Sequence, residues 1–476
     1  MLRNYGLLSI ILVAVAILPA AAAPAPPGEA PPQTVDGPRA SALDREFMGM
    51  AIRDPWYEFN TNPDFPNAAN QAFLDEMGAN LERAGVRWVR LEFHIPYNSN
   101  VAEPCNSDCQ WEIAKNDYFI NEVAPRHNLK ILALLGFGML RGNDPCILNK
   151  DPNVTSPRFG GGVNVPIIAW LTRALEIADR YQDRIAAYEI LNEQNRLLEC
   201  GTPAKVNGKN LNAIAPTITG RLITKLYRFC HGISLPQGEP VHGCSNAQIT
   251  MGGIHPRGSS MPGSDATALR DTEYLTAVYT DPASFATFQN DPAHNYYPVD
   301  GIGYHPYPEE IRLSPQDVLI DRGMQRMRLA LASIQPQTGT NDACKQFWIT
   351  EVGYNVGFDP DGPKNPRPAQ TELGQAAFMQ DVYTTLAARR LDAQLCGGAP
   401  EVANVFWFKY EDFPPATGPN AQQWGIVRIA MPTGACEGGC YEPSGKPLFY
   451  RQSFWTYREL AGLPVYRTYL STVRQP

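Results

Sequence analysis

Tyr188-Glu-Ile-Leu-Asn-Glu-Gln-Asn195 and Trp348-Ile-Thr-Glu-Val-Gly-Tyr-Asn355 share a pattern: an apolar, strand-like run that breaks off at a carboxylate, Glu193 in the first and Glu351 in the second, among polar and aromatic residues. An apolar strand that delivers an acid at its C-terminal tip is how a parallel α/β barrel equips its mouth.

The rest of the chain repeats the same alternation of element types. Apolar runs that fit strands fall at Phe47 to Ile52, Val86 to Phe93, Lys130 to Gly136, Ile185 to Leu191, Gln248 to Gly253, Gly301 to Tyr304, Phe347 to Thr350 and Val402 to Phe408. They are continuous more than alternating, as expected of strands covered on both faces. Between them, Asn70 to Ala84 sets Phe73, Met77, Leu81 and Ala84 on one helical face, and Ile167 to Tyr181 does the same with Leu171, Leu175 and Ala178. Further helices are expected at Thr217 to Cys230, Ala268 to Tyr279, Pro315 to Ile334, Glu372 to Leu391 and Leu448 to Leu460, and, with the faintest periodicity, near Asp117 to Val123. Strands alternating with helices imply parallel pairing through right-handed crossovers, so the expected fold is α/β, a closed (β/α)8 TIM barrel forming a single catalytic domain.

The length of 476 residues fits such a barrel as one unit. A net charge of −8 offers no basic surface for phosphate contacts, which excludes nucleic acid as a partner and disfavours a strongly anionic polymer as substrate. Arg3, the apolar stretch Leu7 to Leu18 and Ala20-Ala-Ala-Ala23 read as a signal peptide over residues 1–23, the apolar run being shorter than the ~20 residues of a spanning helix. Residues 24–41 are a Pro/Ala-rich linker and 42–476 the folded domain. The expectation is a secreted or extracytoplasmic monomer with no stable membrane insertion after cleavage. Ten cysteines suit that route. Cys436-Glu-Gly-Gly-Cys440 fits a tight local bridge, Cys230 with Cys244 would staple a loop, and Cys344 with Cys396 would tie the start of one strand to the end of the following helix. No C-x-x-C or H-E-x-x-H motif is present, so neither a metal nor another cofactor is expected.

One glutamate near a strand end is most simply a solvated charge. The neighbours of these two alter that balance. Asn192 precedes Glu193 and carries an amide suited to a sugar hydroxyl. Arg90, within Val86-Arg-Trp-Val-Arg-Leu-Glu-Phe93, is a buried cation that needs a carboxylate partner and would keep a nearby acid ionised. Gly303-Tyr-His-Pro-Tyr-Pro308 sets His305 and Tyr307 beside Glu351, with Tyr307 as a donor to it, and Trp407 offers a flat apolar face to a sugar ring.

This set resembles the glycoside hydrolase clan A, the (β/α)8 retaining glycosidases with catalytic acids after strands four and seven. The matching positions are Asn192-Glu193, Thr350-Glu-Val-Gly-Tyr354, Arg90, the His305-x-Tyr307 pair and Trp407, with Trp424-Gly-Ile-Val427 and Gly445-Lys-Pro447 in the tail. Within the clan, the likeness is to the family 39 xylosidase-like and related endoglycanase groups. Gln194 stands where proline often follows the acid/base, and Leu132-Ala-Leu-Leu-Gly-Phe-Gly138 carries no histidine, which points away from the cellulase-like family 5.

The resemblance implies a carbohydrate substrate, Glu193 as acid/base and Glu351 as nucleophile, with Arg90, Asn192, His305, Tyr307 and Trp407 binding the sugar. For double displacement, Glu193 must hold a proton while Glu351 stays charged. A carbohydrate-binding barrel that has lost catalysis would need only aromatic surfaces such as Trp56, Trp407 and Trp424, and a transglycosylase would use the same two acids. A metal-dependent hydrolase would want an H-x-H pair at an early strand, which the seven histidines do not supply. Inserts at Asn98 to Trp111, Arg141 to Gly162, Leu198 to Asn212 and Asp412 to Gln423 would crowd the catalytic face and set sugar preference.

Overall fold

The computed structural model describes residues 42–52, 68–94, 107–139, 145–149, 152–196, 205–206, 209–210, 213–256, 269–294, 296–307, 316–334, 342–356, 371–413, 423–430, 441–442 and 444–465. The expected signal peptide and linker, Trp56 and the Cys436/Cys440 pair lie outside these residues.

Eight parallel strands close into a barrel: β1 Met48–Ala51, β2 Trp88–Glu92, β3 Lys130–Leu135, β4 Ala187–Ile190, β5 Gln248–Ile254, β6 Gly301–Tyr304, β7 Phe347–Gly353 and β8 Val402–Phe408, with β1 pairing both β2 and β8. The chain therefore has the (β/α)8 architecture. Each strand is followed by a helix: α1 Ala68–Ala84, α2 Ser107–Tyr118, α3 Val165–Tyr181, α4 Pro216–Cys230, α5 Asp271–Thr280, α6 Gln316–Ile334, α7 Glu372–Ala388 and α8 Gln452–Leu460.

Local chemistry sets these elements. At the start of α3, Asn164 accepts a hydrogen bond from the Ile167 amide at 2.8 Å and Pro166 fills the first turn, where a missing N–H costs nothing. Its buried stripe of Ile167, Trp170, Leu171, Ala174, Leu175 and Ala178 packs into the main core between the strands and the helices. Side chains alternate along each strand, so a second, inner cluster of Trp88, Leu132, Ala187, Trp348 and Phe406 fills the barrel. Trp88 meets Trp348 edge to face at 5.6 Å. Two residues further along β2 and β4, the inward positions carry Arg90 and Glu189.

Three elements differ from the sequence reading. The second helix begins at Ser107, ten residues before the expected Asp117; it continues through a π-helical turn, Phe119–Val123, which buries Phe119, Ile120 and Val123 out of simple helical register. Leu448 and Phe449 belong not to the last helix but to a strand, Pro447–Tyr450, paired antiparallel with Val427–Ile429; both are exposed, so their apolarity reported no helical core face. β7 runs on to Gly353, and its register against β8 shifts between Ile349 and Val352. Glu351 thus lies within the strand at an irregularity, the kind of device that re-aims a side chain.

Cys230 is bonded to Cys244 and Cys344 to Cys396, as expected, and no cysteine among the described residues is free. The first bridge ties the end of α4 to the entry of β5. No helix among the described residues is long and apolar enough to cross a membrane.

Candidate active site

The chain leaves β4 through two residues in left-handed backbone, Leu191 at φ 70° and Glu193 at φ 46°, a conformation that costs a side-chain-bearing residue about 1–3 kcal/mol and persists only where its surroundings enforce it. The enforcement is visible: the Leu191 amide donates to the Leu135 carbonyl at 3.0 Å and the Glu193 amide to the Gly253 carbonyl at 2.9 Å. The turn delivers the Glu193 carboxylate to two donors. Its Oε1 lies 3.1 Å from Nδ1 of His305, and its Oε2 accepts from Arg196 at 2.7 Å.

His305, expected to bind the sugar, is fully buried. It stands behind the acid, with Nδ1 on Glu193 and Nε2 3.0 Å from the Thr350 hydroxyl. Its ring fits only because residue 253 is glycine: a Cβ there would lie 1.9 Å from Nε2. His305 is therefore a positioning group for Glu193, and the Gly252-Gly253 pair in β5 was the overlooked sequence signal for it.

Glu351 accepts from the Tyr307 hydroxyl at 2.9 Å on one oxygen and from Arg90 at 3.3 Å on the other. Arg90 is more heavily engaged elsewhere. Its Nε and Nη2 reach Glu189 at 2.6 and 3.2 Å, and Nη2 also donates to the side-chain Oδ1 of Asn192 at 2.7 Å. Glu189, fully buried, accepts in addition from the Gly253 amide at 3.0 Å. Sequence reasoning required a carboxylate for Arg90 and missed this one. The available signal was parity: Glu189 and Ala187 share the inner face of β4, and a buried acid beside a buried cation is a pair. The bond from Arg90 fixes the Asn192 side chain through its oxygen.

Trp407 does not reach the site. Phe406 fills the barrel interior, so Trp407 points outward, fully buried against Phe378 at a ring separation of 6.0 Å. Among the described residues, Trp424 stands at the mouth, half-buried, edge-on to Tyr307 at 6.1 Å and to Phe408 at 5.6 Å.

One oxygen each of Glu193 and Glu351 and one nitrogen of His305 lie within 4.8 Å of one another, a spacing that a metal ion also tolerates. Both His305 nitrogens are already committed, to Glu193 and to Thr350, so a metal would have to break one of those contacts. The arrangement reads as a hydrogen-bonded acid pair.

Burial works to raise both carboxyls. For Glu193 it is outweighed by the hydrogen bond and charge of His305, helped by His255 and Arg196, and the group is held down to about 2. For Glu351 burial prevails over His305, Arg90 and Tyr307, and the neighbouring Glu193 charge adds to it, so the group is raised. This order is the reverse of the one expected from the sequence. Burial is the largest cause of the rise at Glu351, and Arg90, shared with Glu189, does not offset it.

No protein-family model and no curated protein matches the chain. Solved structures do. A family 1 β-glucosidase from Exiguobacterium antarcticum B7 superposes with a TM-score of 0.50 at 11% identity, over 89% of this chain and 100% of that one. A family 39 glycoside hydrolase from the gut symbiont Bacteroides cellulosilyticus WH2 gives 0.47 at 13% identity over 89% of this chain, which spans 65% of that longer protein. A family 1 β-glucosidase from Thermotoga maritima gives 0.47 at 12% identity, over 89% and 100%. At these identities the likeness is one of fold: the chain is built on the (β/α)8 barrel.

Proposed function

We propose that the protein is a secreted retaining glycoside hydrolase that cleaves O-glycosidic bonds of an oligo- or polysaccharide by double displacement, with residues 1–23 as signal peptide, 24–41 as linker and 42–476 as the catalytic domain. The observation that carries the reading is the approach of Glu193 and Glu351 to within 4.8 Å between carboxylate oxygens at the C-terminal ends of β4 and β7. Retaining enzymes hold their carboxyl groups about 5–5.5 Å apart, whereas inverting ones need room for a water between them.

Glu351 attacks the anomeric carbon while Glu193 protonates the departing oxygen; water activated by the ionised Glu193 then releases the sugar. Tyr307 and Arg90 orient the nucleophile, Asn192 donates to a sugar hydroxyl, and His305 fixes Glu193. The reactive species is the singly protonated pair, whose apparent pKa values belong to both acids together. It reacts when its proton lies on Glu193.

A second reading exchanges the roles of the two glutamates, in line with the lowered Glu193 and raised Glu351 carboxyls. The experiment that separates them is product analysis of Glu193→Ala and Glu351→Ala on an activated aryl glycoside, with and without azide. In the first reading Glu193→Ala keeps its first step, because the leaving group needs no proton, and yields a glycosyl azide of retained configuration; Glu351→Ala forms no covalent intermediate. An inverted azide from Glu193→Ala exchanges the roles. Hydrolysis by the wild type with inversion, or no turnover across aryl glycosides and polysaccharides, rejects the proposal as a whole.

A further inference from the structure

Trp88, Arg90 and Glu92 share the inner face of β2, one above another toward the barrel mouth. Trp88 plugs the interior and Arg90 is consumed by Glu189, Asn192 and Glu351. Glu92 has no part in the mechanism above. No hydrogen bond joins it to Arg90 among the described residues; the two interact only through their charges, Glu189 and Glu351 being the larger partners of that cation.

The structure nonetheless builds a seat for it. Its Oε2 lies 3.5 Å from Nε2 of His94, and the Gly138 amide supplies a backbone hydrogen bond. Two glycines just beyond β3 make the room: a Cβ at residue 136 would stand 2.8 Å from Oε1 of Glu92, and one at residue 138 would stand 2.7 Å from Nδ1 of His94. The carboxylate is thus gripped from one side while a third of its side chain remains accessible on the other. Burial works to raise it, but His94, Arg90 and the Gly138 amide prevail and keep it ionised. An ionised carboxylate is an acceptor with two oxygens, and adjacent ring hydroxyls are a pair of donors at matching spacing. Arg90 and His94 beside it make the place a poor host for an ammonium group.

We propose that Glu92, oriented by His94, is a specificity-determining residue that accepts hydrogen bonds from two neighbouring hydroxyls of the sugar whose anomeric carbon faces Glu351. The inference rests on the glycosidase reading and adds to it the group that selects the sugar ring.

The test uses the full-length protein with nitrophenyl glycosides of glucose, galactose, mannose and xylose, then the monodeoxy series of whichever is hydrolysed. Glu92→Gln is expected to lower kcat/KM on the parent glycoside by about 10- to 100-fold, the range for a hydrogen bond to a charged group. On the deoxy glycoside that lacks a hydroxyl bound by Glu92, the wild type should fall by a similar factor and Glu92→Gln should fall little further. Glu92→Asp retains the charge beside Arg90 but withdraws the oxygens, and should show the same pattern; thermal melting of both variants establishes that they fold. Equal losses on the parent and on every deoxy glycoside would assign Glu92 a purely structural role and overturn the proposal, as would an unchanged parent rate. A wild type inactive on every glycoside would reject the glycosidase reading and this inference with it.

Discussion

Arg90 is bound twice to Glu189 and only once, at 3.3 Å, to Glu351. The cation beside Glu351 is therefore mostly committed to a fully buried residue, which accepts in addition from the Gly253 amide. Glu189→Ala should destabilise the barrel by about 3–5 kcal/mol, because it strands a buried guanidinium. It should also turn the charge of Arg90 on Glu351, lowering that carboxyl, so the acidic limb of kcat/KM moves to lower pH. Denaturant melts and a pH profile read the two effects. A limb that stays in place would mean that Arg90 does not set the ionisation of Glu351.

Arg196 holds Glu193 from the solvent side, with 60% of its side chain exposed. Removing its charge in Arg196→Gln lets the Glu193 carboxyl rise from about 2. The proton then spends more time on Glu193, the acid/base under the proposed function, and the basic limb of the pH profile for a substrate with a poor leaving group should shift upward. The same depression contributes stability that is complete above the ordinary carboxyl value of 4.5 and lost as pH falls toward 2, so the variant should lose less stability on acidification. A downward shift of the basic limb would contradict the proton placement argued here.

The barrel was legible because strand and helix periods differ and both recur along the whole chain, and the two acids were legible because each interrupts an apolar run. Parity was the weak point. Whether position 406 or 407 faces the barrel depends on how β8 registers with its neighbours, which no property of Val402 to Phe408 alone decides. Trp407 was consequently placed in the mouth and Phe406 ignored, although Phe406 packs with Trp88. Glu189 was missed for the same reason, since its meaning depends on Arg90, 99 positions away. The role of His305 was misplaced because burial is a property of what surrounds a ring, here the space left by Gly253.

Trp407 and Trp424 should separate cleanly in mutagenesis. Trp407→Ala removes a large buried side chain from between β8 and α7 and should cost about 3–5 kcal/mol of stability, with KM little changed in the folded fraction. Trp424→Ala removes a half-buried ring beside Tyr307, and should raise KM by about 2- to 10-fold with a smaller loss of stability. Melting curves alongside steady-state kinetics on one oligosaccharide check both. If Trp407→Ala were stable and impaired in KM, the outward placement would be wrong.

The loop that carries Trp424 is anchored by a buried ion pair. Arg451, at the entry of α8, meets Asp412 through two bonds of 2.7 and 2.9 Å and donates to the Gly425 carbonyl at 2.7 Å, while Asp412 accepts from the Gly425 amide at 2.9 Å. Both side chains are fully buried; Arg451 keeps one longer bond of 3.3 Å to the half-exposed Glu372, so loss of Asp412 leaves the guanidinium poorly compensated and loss of Arg451 leaves Asp412 without its cation. Asp412→Ala and Arg451→Met should each cost about 3–5 kcal/mol, and the double variant well under the sum of the two, because it removes the charge along with its partner. Both single variants should also raise KM, since the clamp on Gly425 fixes the residue next to Trp424. The double-mutant cycle measured by denaturant unfolding decides it: strictly additive losses would show that the pair is not what holds this loop against the barrel.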